Sequence, residues 1–321
     1  MKKEDLRIVF LGTPEFAVKS LDTLLENGCN IRAVITMPDK TAGRGHKLLQ
    51  SDVKRYAVAK GLPVLQPANL KDPAFIEELR RIDADLFIVI AFRMLPEAVW
   101  SMPRLGTFNL HASLLPRYRG AAPINRAVMN GEKTTGVTTF FLKHEIDTGD
   151  IIAQRSIDIA DDEDAGSVHD RLMNLGAEMV METVETILKT DGDVPVQPQP
   201  QGEFIPAPKI FTETCLIDWS ADSETVHNLV RGLSPYPAAF TSVRDSHGDS
   251  LKLKVFKGRK APELTAPELK PGDLILLKKR MAVMCADTPY EILELQLQGK
   301  KRMPAEAFLL GFTPVAIDME K

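Results

Sequence analysis

Apolar and polar positions alternate along the first half of the chain in blocks that predict strands and helices in turn. Short apolar runs typical of buried strands occur at 7–12, 31–36, 63–66 and 86–91. Apolar residues recur at helical spacing between them, over 14–27, 50–60 and 73–82. Strands that alternate with helices predict a parallel sheet with helices on both faces, so we expect a Rossmann-like α/β domain.

The first helix has recognisable boundary residues. Thr13 is a possible N-cap, Pro14 suits the first helical position, and Gly28 is placed to end the helix. Further along, Pro123 to Asn130 predicts a helix, and 135–143 and 151–159 predict two β segments. A long amphipathic pattern over 165–189 predicts the helix that closes this domain.

A proline-rich stretch at 190–207 separates this domain from the rest of the chain. It has little apolar surface to bury, which predicts an extended connector. Beyond it, Val226, Leu229, Val230 and Leu233 predict one short helix, and short strands follow at 238–245, 250–257, 273–278, 281–286 and 290–298. Closely spaced short strands predict a small barrel of the oligonucleotide-binding type. We therefore predict domains at 1–189 and 208–321, joined by a linker at 190–207.

Two polar side chains share one face of a further predicted strand, 107–111. Residues two apart on a strand point to the same side, so Asn109 and His111 leave one face together. An amide and an imidazole side by side can donate hydrogen bonds to an oxyanion, and the imidazole can also move a proton near neutral pH. Taken alone, an Asn-x-His pair on a strand is more often structural.

A carboxylate and a loop complete this candidate site. Asp147, in a tight turn of sequence Ile-Asp-Thr-Gly-Asp, is the group we expect to fix the tautomer of His111, although an isolated Asp is often only a turn former. The loop after the strand contains Leu114, Leu115 and Pro116, which predict a concave, partly dry surface. Open α/β sheets bind ligands at the carboxyl ends of their strands, where this loop begins.

Several other kinds of protein are excluded by what the chain lacks. The first turn, Gly-Thr-Pro-Glu-Phe from Gly12, has no Gly-x-Gly-x-x-Gly cradle, so we expect no NAD. The three cysteines are far apart and the acidic run 161–164 does not match a calcium loop, so we expect buried thiols and no metal. With no apolar run long enough for a bilayer and no secretory leader, we expect a soluble cytoplasmic protein.

Basic charge is concentrated in two regions, although the formal net charge of the whole chain is −4. The loop 37–47 is rich in glycine and basic residues and predicts a mobile segment. The predicted barrel carries basic residues at Lys252, Lys254, Lys257, Arg259 and Lys260, and again at 278–280 and 300–302. Scattered over the surface they would serve only solubility, whereas on one face of a barrel they could contact phosphates.

Together, in this order, these features resemble the 10-formyltetrahydrofolate-dependent formyltransferases, in particular those that act on methionyl-initiator tRNA. The similarity runs through nearly the whole chain and is carried by Asn109, His111 and Asp147, with Ser113-Leu114-Leu115-Pro116 and Arg119-Gly120-Ala121-Ala122-Pro123 between. It implies transfer of formyl from 10-formyltetrahydrofolate to the methionyl α-amino group. In that scheme Asn109, His111 and Asp147 are catalytic, and Ser113, Leu114, Leu115 and Pro116 contact the folate.

The resemblance also implies an RNA surface. Arg44 corresponds to the arginine that reaches the acceptor end of the tRNA, and Lys252, Lys254, Lys257 and Arg259 would contact tRNA phosphates. Apart from the resemblance, our default expectation is a monomer. Many relatives carry Tyr-Gly where this chain has Phe92-Arg93. Two alternatives remain: a formyltransferase that uses a sugar amine, glycinamide ribonucleotide or water as acceptor, and an RNA-binding protein that has lost catalysis.

Overall fold

The computed structural model of the protein describes residues 2–42 and 47–319. The α-helices are α1 (Glu15–Glu26), α2 (Asp52–Ala59), α3 (Pro73–Ile82), α4 (Glu97–Trp100), α5 (Pro123–Met129), α6 (Ala165–Lys189), α7 (Ser223–Leu233) and α8 (Ala305–Leu309). The strands are β1 (Arg7–Gly12), β2 (Asn30–Ile35), β3 (Lys40–Ala42), β4 (Lys47–Leu49), β5 (Val64–Leu65), β6 (Leu86–Ile90), β7 (Thr107–His111), β8 (Thr134–Phe141), β9 (Ile151–Asp158), β10 (Ala239–Arg244), β11 (Ser250–Lys260), β12 (Leu274–Leu277), β13 (Arg280–Met284), β14 (Pro289–Leu297), β15 (Met303–Pro304) and β16 (Ala316–Asp318).

The amino-terminal sheet has the strand order β5-β2-β1-β6-β7-β8-β9. Strands β5, β2, β1, β6 and β7 pair in parallel, and β8 pairs antiparallel with β7. The predicted Rossmann-like α/β fold is confirmed. The chain places β2 and β5 on one side of β1 and β6 and β7 on the other, so the order reverses between β1 and β6. The loops after β1, β6 and β7 therefore leave one edge of the sheet at the switch point where such folds bind ligands.

Burial explains the strand sequences. All five residues of β6, Leu86–Ile90, are buried, as expected for a strand covered on both faces. Strand β9, at the edge of the sheet, has mainly half-buried and exposed positions instead. The three cysteines predicted to be buried thiols are buried and free, and burial raises the pKa of Cys285 to about 12.

The start of the first helix differs from the sequence prediction. Pro14, not Thr13, is the N-cap residue of α1, and its backbone is extended. The Thr13 hydroxyl is buried and has no hydrogen-bond partner among the described residues. The prediction of Thr13 as the N-cap was wrong by one residue. The carbonyl oxygen of Pro14 accepts a hydrogen bond of the first turn, from the Ala17 amide at 3.0 Å.

The carboxyl-terminal strands form an antiparallel sheet in the order β12-β13-β14-β11-β10-β16, with β15 paired to β14. It curls into the small, nearly closed barrel that the sequence predicted. Its core includes Trp219 and Tyr290, exposed by 1% and 0% respectively. The sequence analysis missed β15, β16 and α8, because elements of two, three and five residues are too short to show a period.

Contacts divide the chain into two compact units that are not contiguous in sequence. The first contains residues up to Gly120, Thr135–Ile157 and His169–Pro206, and the second contains Ala121–Thr134, Asp158–Val168 and residues from Ala207 on. Helix α5 belongs to the second unit because it packs against α7, where Asn125 Nδ2 donates to Gly232 O at 2.8 Å. The contiguous division at 189 and 208 stays a prediction.

No helix of the described residues is long and apolar enough to cross a membrane.

Asp85 anchors the start of β6, and its replacement tests the stability of the first unit. It is 3% exposed and accepts hydrogen bonds from the Arg7 amide and guanidinium at 3.0 Å and from Arg104 Nε at 2.7 Å. We expect Asp85→Asn to lower the free energy of unfolding by roughly 1.5–3 kcal/mol, the cost of hydrogen bonds to charged groups. Asp83→Asn is the control, because Asp83 pairs with the same Arg7 from a side chain 75% exposed and such pairs contribute little.

The difference in the free energy of unfolding between the wild type and Asp85→Asn should depend on pH with a definite sign. The Arg7 and Arg104 guanidinium groups lower the pKa of Asp85 in the folded protein. A lowered pKa adds stability above the unfolded value of about 4, and that stability is lost as the pH falls further. The unfolding curves of wild type and Asp85→Asn should therefore converge at acidic pH, and a constant difference down to pH 2 would contradict this account.

Candidate active site

His111 ends β7 with its ring held by a backbone group. The side chain is 8% exposed, and its Nε2 lies 2.8 Å from the carbonyl oxygen of Tyr118. A carbonyl can only accept, so Nε2 carries a proton and donates it to Tyr118. The second ring nitrogen, Nδ1, is then the atom left to accept a proton when the ring is neutral, or to donate one when it is charged.

Asn109 lies two residues earlier on the same strand and is half-buried. Strand alternation places it on the same face as His111, as the sequence predicted. In the part of the chain that the structure describes, its carboxamide forms no hydrogen bond with another residue. Asn109 therefore keeps two N–H groups with which it could bind a ligand at the carboxyl end of β7.

The loop after β7 is anchored from the inside. Ser113 is fully buried and its hydroxyl donates to Arg117 O at 2.7 Å, and Leu115 packs with Phe140 and Ile151. Leu114 and Pro116 are half-buried, and the Leu115–Pro116 peptide is cis. Of the four residues predicted to contact folate, Leu114 and Pro116 thus have side chains with open surface. Ser113 and Leu115 would contribute through their backbone and by fixing the loop.

Asp147 contacts the same loop, but not in the way the sequence suggested. Its Oδ2 accepts a hydrogen bond from the Gly120 amide at 3.0 Å. The expected hydrogen bond to His111 is not among the contacts of the described residues, and the Tyr118 carbonyl orients the ring instead. Tyr118 and Gly120 are two residues apart, a chain length of about 7 Å. One loop therefore holds the carboxylate and the imidazole in the same neighbourhood.

The turn that carries Asp147 starts beside the amino-terminal end of β7, opposite the end that carries His111. Because β8 is antiparallel to β7, its last residue, Phe141, pairs with Phe108 at the start of β7. The turn is compact at Gly149, where an added Cβ would lie 1.6 Å from the Phe141 carbonyl oxygen. Only glycine fits this position, and Asp147 itself has a φ of 56°, a conformation that Asp tolerates better than most residues.

Two residues that sequence reasoning did not place in the site lie beside it. Gln199, in the predicted linker, donates from Nε2 to the carbonyl oxygens of Asp147 and Gly149, both at 2.8 Å. Its Oε1 accepts from the Arg119 guanidinium. No spacing signal could have found Gln199, because 52 residues separate it from Asp147.

The described ends of the predicted basic loop 37–47 form two short paired strands. Strands β3 and β4 pair antiparallel, which the sequence analysis missed because three-residue strands show no alternation. The segment before β3 is held by Asp39, whose carboxylate accepts hydrogen bonds from Lys54 at 2.5 Å and from Gln66 at 2.7 Å. Arg44, the predicted contact to the tRNA acceptor end, lies outside the described residues.

Two of the basic residues predicted to bind tRNA lie on the outer face of β11. Lys252 and Lys254 alternate with the fully buried Leu253 and Val255. The Lys252 ammonium lies 3.4 Å from the centre of the Phe240 ring, and Lys254 donates to Pro237 O at 3.2 Å. They border an open depression of about 300 Å³, which is completed by Gln296, Leu297, Gln298 and Gly299. Cationic, amide and aromatic groups on one sheet face suit an oligonucleotide.

Many other basic groups of the barrel have acidic partners. Arg259 donates to Glu291 at 2.7 Å, and Lys257 is exposed. Further pairs are Lys260–Glu224, Lys279–Glu306, Arg280–Glu291 and Arg302–Glu294. Arg259 would have to share its charge between Glu291 and any phosphate, whereas Lys252, Lys254 and Lys257 have no acidic partner among the ion pairs of the described residues.

Two further features bear on the choice of ligand. The Arg93 guanidinium turns back to the carbonyl oxygens of Pro67 and Ala68 and lies over the Phe92 ring. The Arg93 side chain is thus tied to the protein's own backbone. Across residues 2–42 and 47–319, no group of three His, Cys, Asp or Glu side chains could hold a metal ion.

Comparison with known families defines the class of protein that has this sheet and this site. The profile of the formyl transferase family matches residues 6–184, and that of the formyl transferase C-terminal domain matches residues 209–313. The chain belongs to the formyl transferase family. The resemblance drawn from the sequence is therefore confirmed for the family.

Within this family, several similar curated proteins are named methionyl-tRNA formyltransferase. The protein of that name from Bacteroides fragilis is 55% identical over 317 residues, which cover 97% of each chain. That from Parabacteroides distasonis is 56% identical over 324 residues, 98% of each chain, and that from Porphyromonas gingivalis is 47% identical over 314 residues, 97% of each. The similarity spans both predicted domains.

Solved structures share the fold at lower identity. HypX from Aquifex aeolicus, in complex with tetrahydrofolic acid, has a TM-score of 0.63 at 22% identity and covers 95% of this chain and 47% of its own. An N-formyltransferase from Helicobacter canadensis, in complex with folinic acid and dTDP-3-aminofucose, has a TM-score of 0.64 at 18% identity and covers 89% and 98%.

Proposed function

We propose that this protein transfers the formyl group of 10-formyltetrahydrofolate to the α-amino group of methionyl-initiator tRNA. The observation that carries the proposal is the 55% identity, over 97% of both chains, to a protein named for that reaction. The product would be formylmethionyl-tRNA for translation initiation, with tetrahydrofolate released. We also propose that the enzyme acts in the cytoplasm, where its charged tRNA is found. We further propose that it is a monomer.

The chemistry assigns a task to two polar residues of β7, Asn109 and His111. The methionyl nitrogen attacks the formyl carbon, the carbonyl oxygen becomes an oxyanion, and the bond from that carbon to folate N10 then breaks. Asn109 offers N–H donors to the oxyanion from a half-buried position, where such donors act most strongly. His111 offers Nδ1, since its Nε2–H is held by Tyr118.

A proton must also travel from the attacking amine to folate N10. Asp147 is the carboxylate beside the loop that orients His111, and we propose that it accepts this proton, directly or through water, and passes it on. The folate would lie against Leu114 and Pro116, with the backbone of Ser113 and Leu115 completing the surface. The phosphates of the tRNA would meet Lys252, Lys254, Lys257 and Arg259, and Arg44 would meet its acceptor end.

The direct test is transfer of labelled formyl from 10-formyltetrahydrofolate to methionyl-initiator tRNA. Uncharged tRNA and free methionine are the controls. Label that appears only on the charged tRNA would support the donor and the acceptor together. Label released to water, or passed equally to a sugar amine or glycinamide ribonucleotide, would support the alternative acceptors. No consumption of the donor at saturation would favour an RNA-binding protein without catalysis.

Asp147→Asn separates the proton-transfer role from the turn. Asn keeps the size of the side chain and tolerates the positive φ of this position, but it cannot take up the amine's proton. We expect kcat to fall at least about 10²-fold, within the usual range for acid–base groups. Asp150→Asn is the matched control, since Asp150 pairs with the exposed Lys143 at 2.7 Å, and it should retain activity within a few fold. Near-normal turnover of Asp147→Asn would leave Asp147 a turn residue.

A further inference from the structure

The side-chain amide of Gln199 joins two loops of the candidate active site. Its Nε2 donates to the carbonyl oxygens of Asp147 and Gly149, each at 2.8 Å, and so spans the turn that carries the candidate carboxylate. Its Oε1 accepts from Arg119 Nε at 3.1 Å and Nη2 at 2.5 Å. Arginine can only donate and a carbonyl can only accept, so the amide has one orientation that satisfies every contact.

Arg119 belongs to the loop that contacts two of the candidate catalytic residues, His111 and Asp147. Its neighbours are Tyr118, whose carbonyl accepts from His111, and Gly120, whose amide donates to Asp147. The Arg119 guanidinium also lies over the Phe204 ring at 5.9 Å. Gln199 therefore links the Asp147 turn to the same three-residue segment that orients His111.

The chain around Gln199 is itself anchored on both sides. Before it, Gln197 and Ile151 exchange backbone hydrogen bonds at 2.8 Å in both directions. After it, the Ile205 carbonyl accepts from the Tyr118 amide at 2.6 Å. We name residues 197–205 the strap. With backbone contacts at each end, the strap holds Gln199 at a fixed distance from the turn.

Apart from Gln199, the hydrogen bond of the Gly120 amide to Asp147 and the Lys143–Asp150 pair, the described residues give the Asp147 turn few contacts. Residues 143–146 are exposed, and Ile146, the one large apolar side chain among them, is 60% exposed. A turn with few buried apolar contacts depends on its hydrogen bonds for a single conformation. Among the described residues, Gln199 supplies the two side-chain hydrogen bonds that reach the backbone of Asp147 and Gly149 from outside the turn.

We propose that Gln199 is a positioning residue that holds the Asp147 turn against the loop 118–120, so that Asp147 and His111 act on one reacting centre. The effect of Gln199 on catalysis rests on the proposed function, because Gln199 acts through Asp147. The segment predicted as a plain connector would then be part of the active-site framework. The Gln199 side chain itself needs no contact with the folate or the tRNA for this role.

The test compares Gln199→Ala and Gln199→Glu with the control Gln197→Ala. Gln197 is in the same strap and has an exposed side chain, while its pairing with Ile151 is through the backbone. Gln199→Glu keeps an acceptor for Arg119 but has no N–H for the two carbonyl oxygens. Each protein is examined in two ways, by amide hydrogen exchange over 143–150 and by formyl-transfer kinetics.

We expect exchange over 143–150 to be on the order of tenfold faster in both Gln199 variants and unchanged in Gln197→Ala, because two hydrogen bonds are lost. We expect kcat to fall about 10–100-fold, since small misplacement of a catalytic group is costly, with KM for the folate within about threefold. In an Asp147→Asn background, adding Gln199→Ala should cost less than about threefold, because the group it positions is already gone.

Two results would overturn the proposal. One is an exchange pattern of Gln199→Ala equal to that of Gln197→Ala. The other is a loss of kcat that is as large in the Asp147→Asn background as in the wild type, which would indicate a general structural defect. If the wild-type protein transferred no formyl group, the proposed function would fail, while the exchange comparison would still decide whether Gln199 holds the turn.

Discussion

Replacing His111 by alanine is expected to lower kcat for formyl transfer by about 10²–10⁴-fold, the range for a positioned acid–base group. The ring is 8% exposed and its Nε2 is committed to the Tyr118 carbonyl, so Nδ1 meets the reacting groups in a single orientation. Alanine removes the imidazole that would donate to the oxyanion, together with the ring beside which Asp147 would transfer the proton. KM for the folate should change little, because these interactions form chiefly in the transition state.

The control for this substitution is His247→Ala. His247 is exposed in the turn between β10 and β11 and belongs to the other compact unit. Its variant should transfer formyl at the wild-type rate. Unfolding curves of both variants, which should match that of the wild type, are the check against a folding defect. If His111→Ala kept more than about a tenth of the wild-type kcat, His111 would be a core residue of β7 and not part of the mechanism.

Replacing Asn109 by alanine is expected to lower kcat by about 10²–10³-fold, the usual loss when one oxyanion donor is removed. The carboxamide is half-buried and has no hydrogen-bond partner among the described residues. An amide that the fold does not use is available to a ligand. Because no protein partner is left unpaired by the substitution, we expect the free energy of unfolding to change by less than about 1 kcal/mol, so activity and stability should separate.

Asn109→Asp distinguishes a lost donor from a lost volume. Aspartate has nearly the shape of asparagine, but as a carboxylate it has no N–H and would repel a developing oxyanion. We expect Asn109→Asp to be at least as impaired as Asn109→Ala in single-turnover measurements with saturating folate. Recovery of activity in Asn109→Asp would instead show that Asn109 only fills space.

The sequence was sufficient to predict the strand that carries Asn109 and His111, but not the geometry of the whole candidate site. Thr107–His111 forms β7 as the alternation predicted, and strand geometry alone puts Asn109 and His111 on one face. The partner of His111 could not be predicted in this way. The sequence analysis chose Asp147 because a carboxylate commonly orients an imidazole, whereas in the fold the Tyr118 carbonyl, seven residues away, takes that hydrogen bond.

The linker shows the same limit. Its prolines correctly predicted a segment without helix or core of its own. They carried no information on which surface the segment crosses, and hence none on the contact of Gln199 with the Asp147 turn. The basic residues of the barrel were likewise visible in the sequence, but their acidic partners Glu224, Glu263, Glu291, Glu294 and Glu306 were not assigned to them.

By itself, the sequence determined the α/β sheet, the small barrel, the strand with Asn109 and His111, and the family resemblance. These depend on periodicity, on adjacent residues and on motifs, which are local properties of the chain. Only the tertiary structure decided that β8 runs antiparallel to β7, that one loop contacts both His111 and Asp147, and that Gln199 spans the turn. Those contacts join residues far apart in the chain, so they depend on how the elements pack and leave no periodic trace in the sequence.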